Sequence, residues 1–351
     1  MTIDPAFWTG RRVLLTGHTG FKGSWLTLML DTLGARTTGF SLVPPAEPSL
    51  FALLGLAALC DHRIGDIRDL AAVEAAVRAA EPDIVFHLAA QPLVRASYAE
   101  PVETYATNLM GTVNVLDACR RAPSVRTIIV ITTDKCYENT GLIRGYAEAD
   151  PMGGHDPYSN SKGCAELAVS AYRDSFLRAA GVGVASARAG NVIGGGDFAA
   201  DRLVPDAIRA FVASRALPIR NPGAIRPWQH VLEPLAGYLM LAERLSADEQ
   251  FAEGWNFGPA MADQASVQQV ADSLARKWQA GARWERDFGQ QPHEAATLML
   301  DCSKARERLG WHSLLTLDDA LSLSVDWYRG WQQKHDLAGI SKDQINQYLS
   351  L

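Results

Sequence analysis

Residues 11–30 read RRVLLTGHTGFKGSWLTLML, and this stretch decides the fold. Residues 11–17 form an apolar, strand-like run, and residues 23–34 have the length and spacing of a helix closed by Gly34. Between them Gly17, Gly20 and Gly23 make a G-x-x-G-x-x-G turn. Glycine permits dihedrals that a side chain forbids, so backbone amides can approach a phosphate closely. The helix N-terminus adds free N–H groups and a partial positive charge. The context predicts a dinucleotide site built from Gly17, Thr19, Gly20, Phe21, Lys22 and Gly23.

The same unit repeats outward from that stretch. Strand-like runs at 35–42, 62–66, 83–90, 125–133 and 182–191 alternate with helical patterns at 70–81, 102–122 and 161–181. The strands are almost continuously apolar, as when helices cover both faces of a sheet. The alternation predicts an α/β fold, a doubly wound parallel sheet of Rossmann type with right-handed crossovers. After residue 190 the rhythm breaks at a glycine-rich, acidic connection. We read 1–190 as the dinucleotide-binding domain, with 229–257 returning to it. Residues 191–228 and 258–351 form a smaller, mixed α/β substrate domain.

Bulk properties narrow the function classes. The 351 residues are 48% hydrophobic with a formal charge of -6, and no block of Lys and Arg marks a nucleic-acid footprint. Cys60, Cys119, Cys136, Cys164 and Cys302 show neither a CxxC pair nor metal-ligand spacing, which predicts free thiols in a reducing compartment and no metal. The first residues lack a signal-peptide pattern, and no apolar run reaches the ~18 residues of a membrane helix. The expectation is a cytoplasmic protein with no membrane partner.

Further ligand positions follow from strand ends. The second strand closes on Ser41, where an acid that grips a ribose is usual, so NAD and NADP both stay open locally. Lys22 favours an extra phosphate, whereas the lack of an Arg beside Ser41 disfavours it. Asp66, followed by Ile67, is placed to hold an adenine or, equally, to cap the next helix. Leu88, Ala89 and Ala90, in HLAAQ, are small or apolar where a backbone passes close to a ligand.

Two segments carry chemistry. The run VITTDKCYEN (130–139) ends its strand in Thr133, Asp134 and Lys135. Tyr158 and Lys162 stand four apart, on one face of a helix's first turn. A phenol has a pKa near ~10, and a neighbouring ammonium lowers it, so Tyr158 is placed to take a proton from an alcohol. Neither pattern is specific alone; their order along one α/β chain gives them weight.

Taken together, the glycine turn, HLAAQ, the Thr133 strand end, Tyr158-x-x-x-Lys162 and ARAGNVIGGGD (187–197) resemble the extended short-chain dehydrogenase/reductase family, in its nucleotide-sugar branch. With RPWQHVLEPL (226–235) and the segments from 292 to 311, the resemblance is strongest to the branch's 4,6-dehydratases. It implies NAD as cofactor, CDP-glucose as substrate, and a homodimer or dimer of dimers. It also implies an internal hydride shuttle with loss of water: Tyr158 and Thr133 at the 4-hydroxyl, Asp134 and Lys135 at the elimination. Related thymidine-nucleotide enzymes carry a glutamate at the position of Lys135. At neutral pH an ordinary Asp is charged and an ordinary Lys protonated, so these roles need shifts of about 3 units each.

A nucleoside diphosphate carries two negative charges and needs cations and donors. Arg226 and Asn191 are the expected pyrophosphate contacts, with Arg202 and Arg220 assisting. Gln91, Leu203 and His293 complete the expected substrate wall, and ligand contact and structural bonding weigh evenly for His293 and Glu294. Trp228 is expected to brace the domain, and Arg188 to pair internally with an acid. Two other readings stand beside this one: another nucleotide-sugar enzyme of the same branch, either a dehydratase for another nucleotide or an epimerase, the latter disfavoured by the acid–amine pair; and a non-catalytic redox sensor, disfavoured by an intact Tyr158–Lys162.

Overall fold

The computed structural model describes residues 3–44, 47–142, 144–260, 263–289 and 298–351. Its centre is a parallel sheet of β1 (Arg12–Thr16), β2 (Arg36–Ser41), β3 (Asp61–Ile64), β4 (Ile84–His87), β5 (Thr127–Ile131), β6 (Gly183–Ala189) and β7 (Gly254–Phe257). The spatial order is β7-β6-β5-β4-β1-β2-β3. Every residue of β4 and β5 is buried. Successive side chains point to opposite faces. Leu14, Val85, Ile128 and Val184 therefore join one core, and Val13, Leu15, Ile84, Phe86, Ile129 and Ala185 the other. The edge strand β3, reading DHRI, buries none of its residues.

Helices lie on both faces. α1 (Phe21–Thr32) is buried continuously from Gly23 to Leu30, in keeping with its apolar character on all sides. α2 (Leu70–Ala80) is capped by Asp69, whose carboxylate accepts from the Ala72 amide. The helical pattern at 102–122 resolves into Pro101–Tyr105, a wider turn at Ala106–Met110, and α3 (Gly111–Arg120). α4 (Pro157–Tyr172) starts four residues before the expected 161, because Asp156 caps it and Pro157 occupies its first position. That earlier start places both Tyr158 and Lys162 on α4.

The later chain contributes α5 (Leu203–Val212), α6 (Leu232–Ala247), α7 (Val267–Trp278), α8 (Leu317–Gln332) and α9 (Leu337–Leu349). Within 229–257, β7 pairs with β6 from Gly254↔Ser186 to Phe257↔Ala189. Glu233, fully buried on α6, accepts from the amides of Leu314 and Leu315 and from the Tyr348 hydroxyl, fastening the C-terminal segment to α6. Connections run from β1 outward to β3, then cross to β4 and run the other way. The carboxyl ends of β1 and β4 diverge at that reversal, the position at which open α/β sheets form a crevice.

Candidate active site

A cavity of about 1140 Å³ opens there. Its floor is the glycine turn. Gly17 has φ +78, and a Cβ on it would stand 2.7 Å from the Ala89 amide nitrogen. A Cβ on Gly23 would stand 2.1 Å from the Gly17 carbonyl oxygen. The turn, the end of β4 and the start of α1 are thus in backbone contact. That makes a side-chain-free cradle below a helix N-terminus, matched to a pyrophosphate. Gly17→Ala is expected to destabilise the fold by about 2–4 kcal/mol, from the left-handed dihedral and the backbone overlap. Denaturant unfolding checks this, and an unchanged midpoint would contradict the packing.

Thr19, Gly20, Phe21, Lys22, Leu88, Ala89 and Ala90 all line the cavity. Ser41 bonds the Thr19 hydroxyl at 2.8 Å and is 8% exposed, so the end of β2 faces the ligand space with a small neutral group. Ile67 and Asp66 line it too. Asp66 does not cap α2, which Asp69 does; its carboxylate accepts from the backbone and guanidinium of Arg68. Gln91 turns elsewhere: its amide donates to Thr104 and accepts from the Leu93 amide.

One wall of the cavity forms where β5 stops and a tight turn at Asp134–Cys136 begins. The Thr133 hydroxyl donates to Asp134 Oδ1 at 2.9 Å. Asp134 is 2% exposed, and its Oδ2 has no hydrogen-bond partner. Burial raises the Asp134 pKa, with Lys135, Thr133, Arg226 and Lys22 opposing the rise. Lys135, half-buried, faces the same space.

Tyr158 differs from the expectation of a lowered pKa. Burial pushes its phenol up to about 12, against the Thr133 hydrogen bond and the Arg202 charge. Lys162 is pushed down to about 8 by burial, while Glu166 favours its charged form, and its Nζ donates to the Ile131 carbonyl at 3.3 Å. Lys22 also falls to about 8, first from burial, then from Arg202, with Asp134 opposing. The glycine turn therefore sends an amine towards Asp134, Lys162 and Arg202.

On the other side, Arg226 is 7% exposed and sits in a short pairing of Ile225–Arg226 with Ala265–Ser266. Asn191, Arg202, Leu203 and Arg220 also line the cavity. Arg202 pairs with Asp197 at 2.9 Å, and Arg220 lies 3.7 Å from Asp201. The Trp228 indole donates to the Ala265 carbonyl, which braces the segment. His293 and Glu294 lie outside the described residues. Arg95 was not singled out from sequence; it pairs with Asp201 across the cavity mouth at 3.1 Å, a meeting of segments 106 residues apart that no local pattern signals. Among the described residues no cluster fits a metal, and no helix is long and apolar enough to cross a membrane.

A family model described as GDP-mannose 4,6 dehydratase matches residues 14–323. A CDP-glucose 4,6-dehydratase of Salmonella typhimurium is 50% identical over 99% of both chains. Among solved structures, the protein MoeE5 in complex with UDP-glucuronic acid and NAD superposes with TM-score 0.77 at 25% identity, over 90% of this chain and 98% of its own. A dTDP-glucose 4,6-dehydratase of Bacillus anthracis in complex with NAD has the same fold, with TM-score 0.78 at 20% identity over 93% and 99%.

Proposed function

This chain belongs to the GDP-mannose 4,6-dehydratase family, and from that premise we propose that it converts CDP-D-glucose to CDP-4-keto-6-deoxy-D-glucose and water with NAD as cofactor. The observation that carries the reaction type is Asp134: a buried carboxyl with a raised pKa and an unpartnered oxygen, beside the phenol of Tyr158. An epimerase has no use for such an acid, whereas loss of water does. The nucleotide rests on the half-identical relative.

The glycine cradle fits a dinucleotide, and Gly17, Thr19, Gly20, Phe21, Gly23, Ser41, Asp66, Ile67, Leu88, Ala89 and Ala90 would hold NAD. When bound, it supplies the acceptor for the hydrogen leaving carbon 4 and its donor to carbon 6. Every other task falls to side chains of this chain. Tyr158 Oη takes the proton of the 4-hydroxyl, which Thr133 Oγ1 orients, and Lys162 fixes the charge near that phenol. The ketone acidifies the carbon-5 proton, which passes to Lys135 Nζ as the C–H electron pair moves towards the carbonyl oxygen, and which returns to carbon 5 when carbon 6 is reduced. Asp134 gives its proton to the departing 6-hydroxyl; the carboxylate left behind is met by Lys135, Arg226 and Lys22, the same cations that oppose its raised pKa. Arg226, Asn191, Arg202 and Arg220 take the pyrophosphate end.

In the proposed division of labour, 1–190 with 229–257 holds the cofactor and the remaining segments hold the nucleotide sugar. Val102, Met110, Leu167 and Phe176 are 81%, 51%, 61% and 47% exposed on the helices from 101 to 177, which supports a homodimer through that face.

The test is a panel of CDP-, dTDP-, GDP- and UDP-glucose with product masses measured. CDP-glucose is expected to yield a product lighter by one water, with no net reduced cofactor. Equal turnover of several nucleotides, or steady accumulation of reduced cofactor, would overturn the assignment.

A further inference from the structure

The turn bearing Thr133, Asp134 and Lys135 is tied down at both flanks to one buried ion pair. On the near side, the Thr132 hydroxyl donates to Glu166 Oε1. On the far side, Arg188 Nη1 donates to the Tyr137 hydroxyl at 2.6 Å. Glu166 and Arg188 bond each other at 2.8 Å, with side chains 5% and 6% exposed. Glu166 lies on α4, one turn beyond Lys162 and two beyond Tyr158. Arg188 lies on β6, beside the strand that delivers the turn. The Tyr137 hydroxyl donates onward to Asn256 on β7, and the Arg188 guanidinium lies 5.1 Å from the Tyr137 ring centre. The reacting groups come from two elements, α4 and the turn, and this pair bonds both.

We propose that the Glu166–Arg188 pair is a positioning device, holding Asp134 and Lys135 in register with Tyr158 and Lys162 through its tethers to Thr132 and Tyr137. A buried pair often adds little net stability over apolar residues of the same shape, but it fixes geometry through the bonds it makes. Here both Glu166 oxygens and both terminal nitrogens of Arg188 are bonded, and Arg188 Nε is buried without a partner. Glu166 Oε2 also accepts from Ser186 at 2.6 Å, so the carboxylate is bonded at both oxygens and has little freedom to rotate. A displacement of even ~1 Å between reacting groups can lower turnover about 100-fold, so a loosened tether is expected to appear in kcat rather than in KM.

The inference rests on the assignment of reacting residues made above. Its test therefore has one arm in turnover and one that needs no substrate. Thr132→Val removes the near tether and keeps the ion pair; Thr132→Ser restores the hydroxyl. Thr127→Val makes the same chemical change at the start of β5, where among the described residues the hydroxyl bonds that of Ser246. With CDP-glucose, Thr132→Val is expected to lower kcat about tenfold or more with KM within about twofold, Thr132→Ser to recover most of it, and Thr127→Val to leave both unchanged. The second arm is the labelling rate of Cys136, buried inside the tethered turn, measured by peptide mass mapping with a thiol reagent. Thr132→Val is expected to raise that rate at least about fivefold, with Thr127→Val unchanged, since label requires the turn to open. Wild-type protein inert towards CDP-glucose would overturn the functional assignment, while the labelling arm would still decide the tether. Equal effects of Thr132→Val and Thr127→Val in either arm, or none from Thr132→Val, would overturn the positioning role.

Discussion

Tyr158→Phe is expected to lower turnover of CDP-glucose about 1000-fold while leaving KM within about threefold. The phenol stands at the meeting of β5, α4 and the glycine turn, and once ionised it is placed to accept a proton from the 4-hydroxyl. With its pKa pushed up to about 12, the free protein holds almost none of it as phenolate at neutral pH. Burial sets that value, and Thr133 and Arg202 already work against it. The same low-dielectric surroundings that penalise the phenolate also magnify the effect of any cation brought near it. In the proposed reaction, proton transfer to Tyr158 is thereby expected only in the assembled complex. Phenylalanine keeps the shape and removes only the hydroxyl, so the fold should persist. A Tyr158→Phe variant retaining more than about a tenth of wild-type kcat would remove Tyr158 from proton transfer altogether.

The sheet was legible because its signal is local and redundant: buried strands at 84–87 and 127–131 read as unbroken apolar runs, and Gly17 and Gly23 mark a contact no other residue permits. The start of α4 was misplaced by four residues, since its cap depends on an Asp156–Ser159 bond that competes with a plausible loop reading. The electrostatics were less legible than the geometry. A Tyr-x-x-x-Lys spacing places an ammonium near a phenol, but burial dominates both groups, raising one pKa and lowering the other. Gln91 shows the same limit: its motif placed it at the cavity, and its bonds to Thr104 and Leu93 turn it aside. Glu166 carries no motif of its own. Its importance arises from Thr132, Ser186 and Arg188, which meet only once the sheet is formed.

Asp134→Asn is expected to lower turnover about 100- to 1000-fold without destabilising the protein, and the two halves of that result test different things. An amide keeps the size of the carboxyl and can donate a hydrogen bond, but it has no proton to give the departing hydroxyl. The stability half follows from the sign of the pKa shift. Burial raises the folded-state pKa of Asp134 above its unfolded value. The proton is thus bound more tightly in the folded chain. The stability this contributes is full below the unfolded pKa and is lost as pH rises through the folded one. Above that interval the wild type carries a buried charge that asparagine never acquires. The unfolding midpoint of Asp134→Asn should therefore equal the wild-type value at low pH and match or exceed it at high pH. Lys135, Arg226 and Lys22 argue the other way, since they favour the ionised form. Were they to dominate, removing the carboxylate would leave three cations uncompensated, and the variant would lose stability as pH rises. Unfolding curves at several pH values separate the two cases. Wild-type kcat adds a third reading: an acid working in its protonated form loses activity as pH rises through its raised pKa, and that limb should vanish from the residual activity of Asp134→Asn. A variant that is less stable at high pH and keeps the limb would assign the proton to another group.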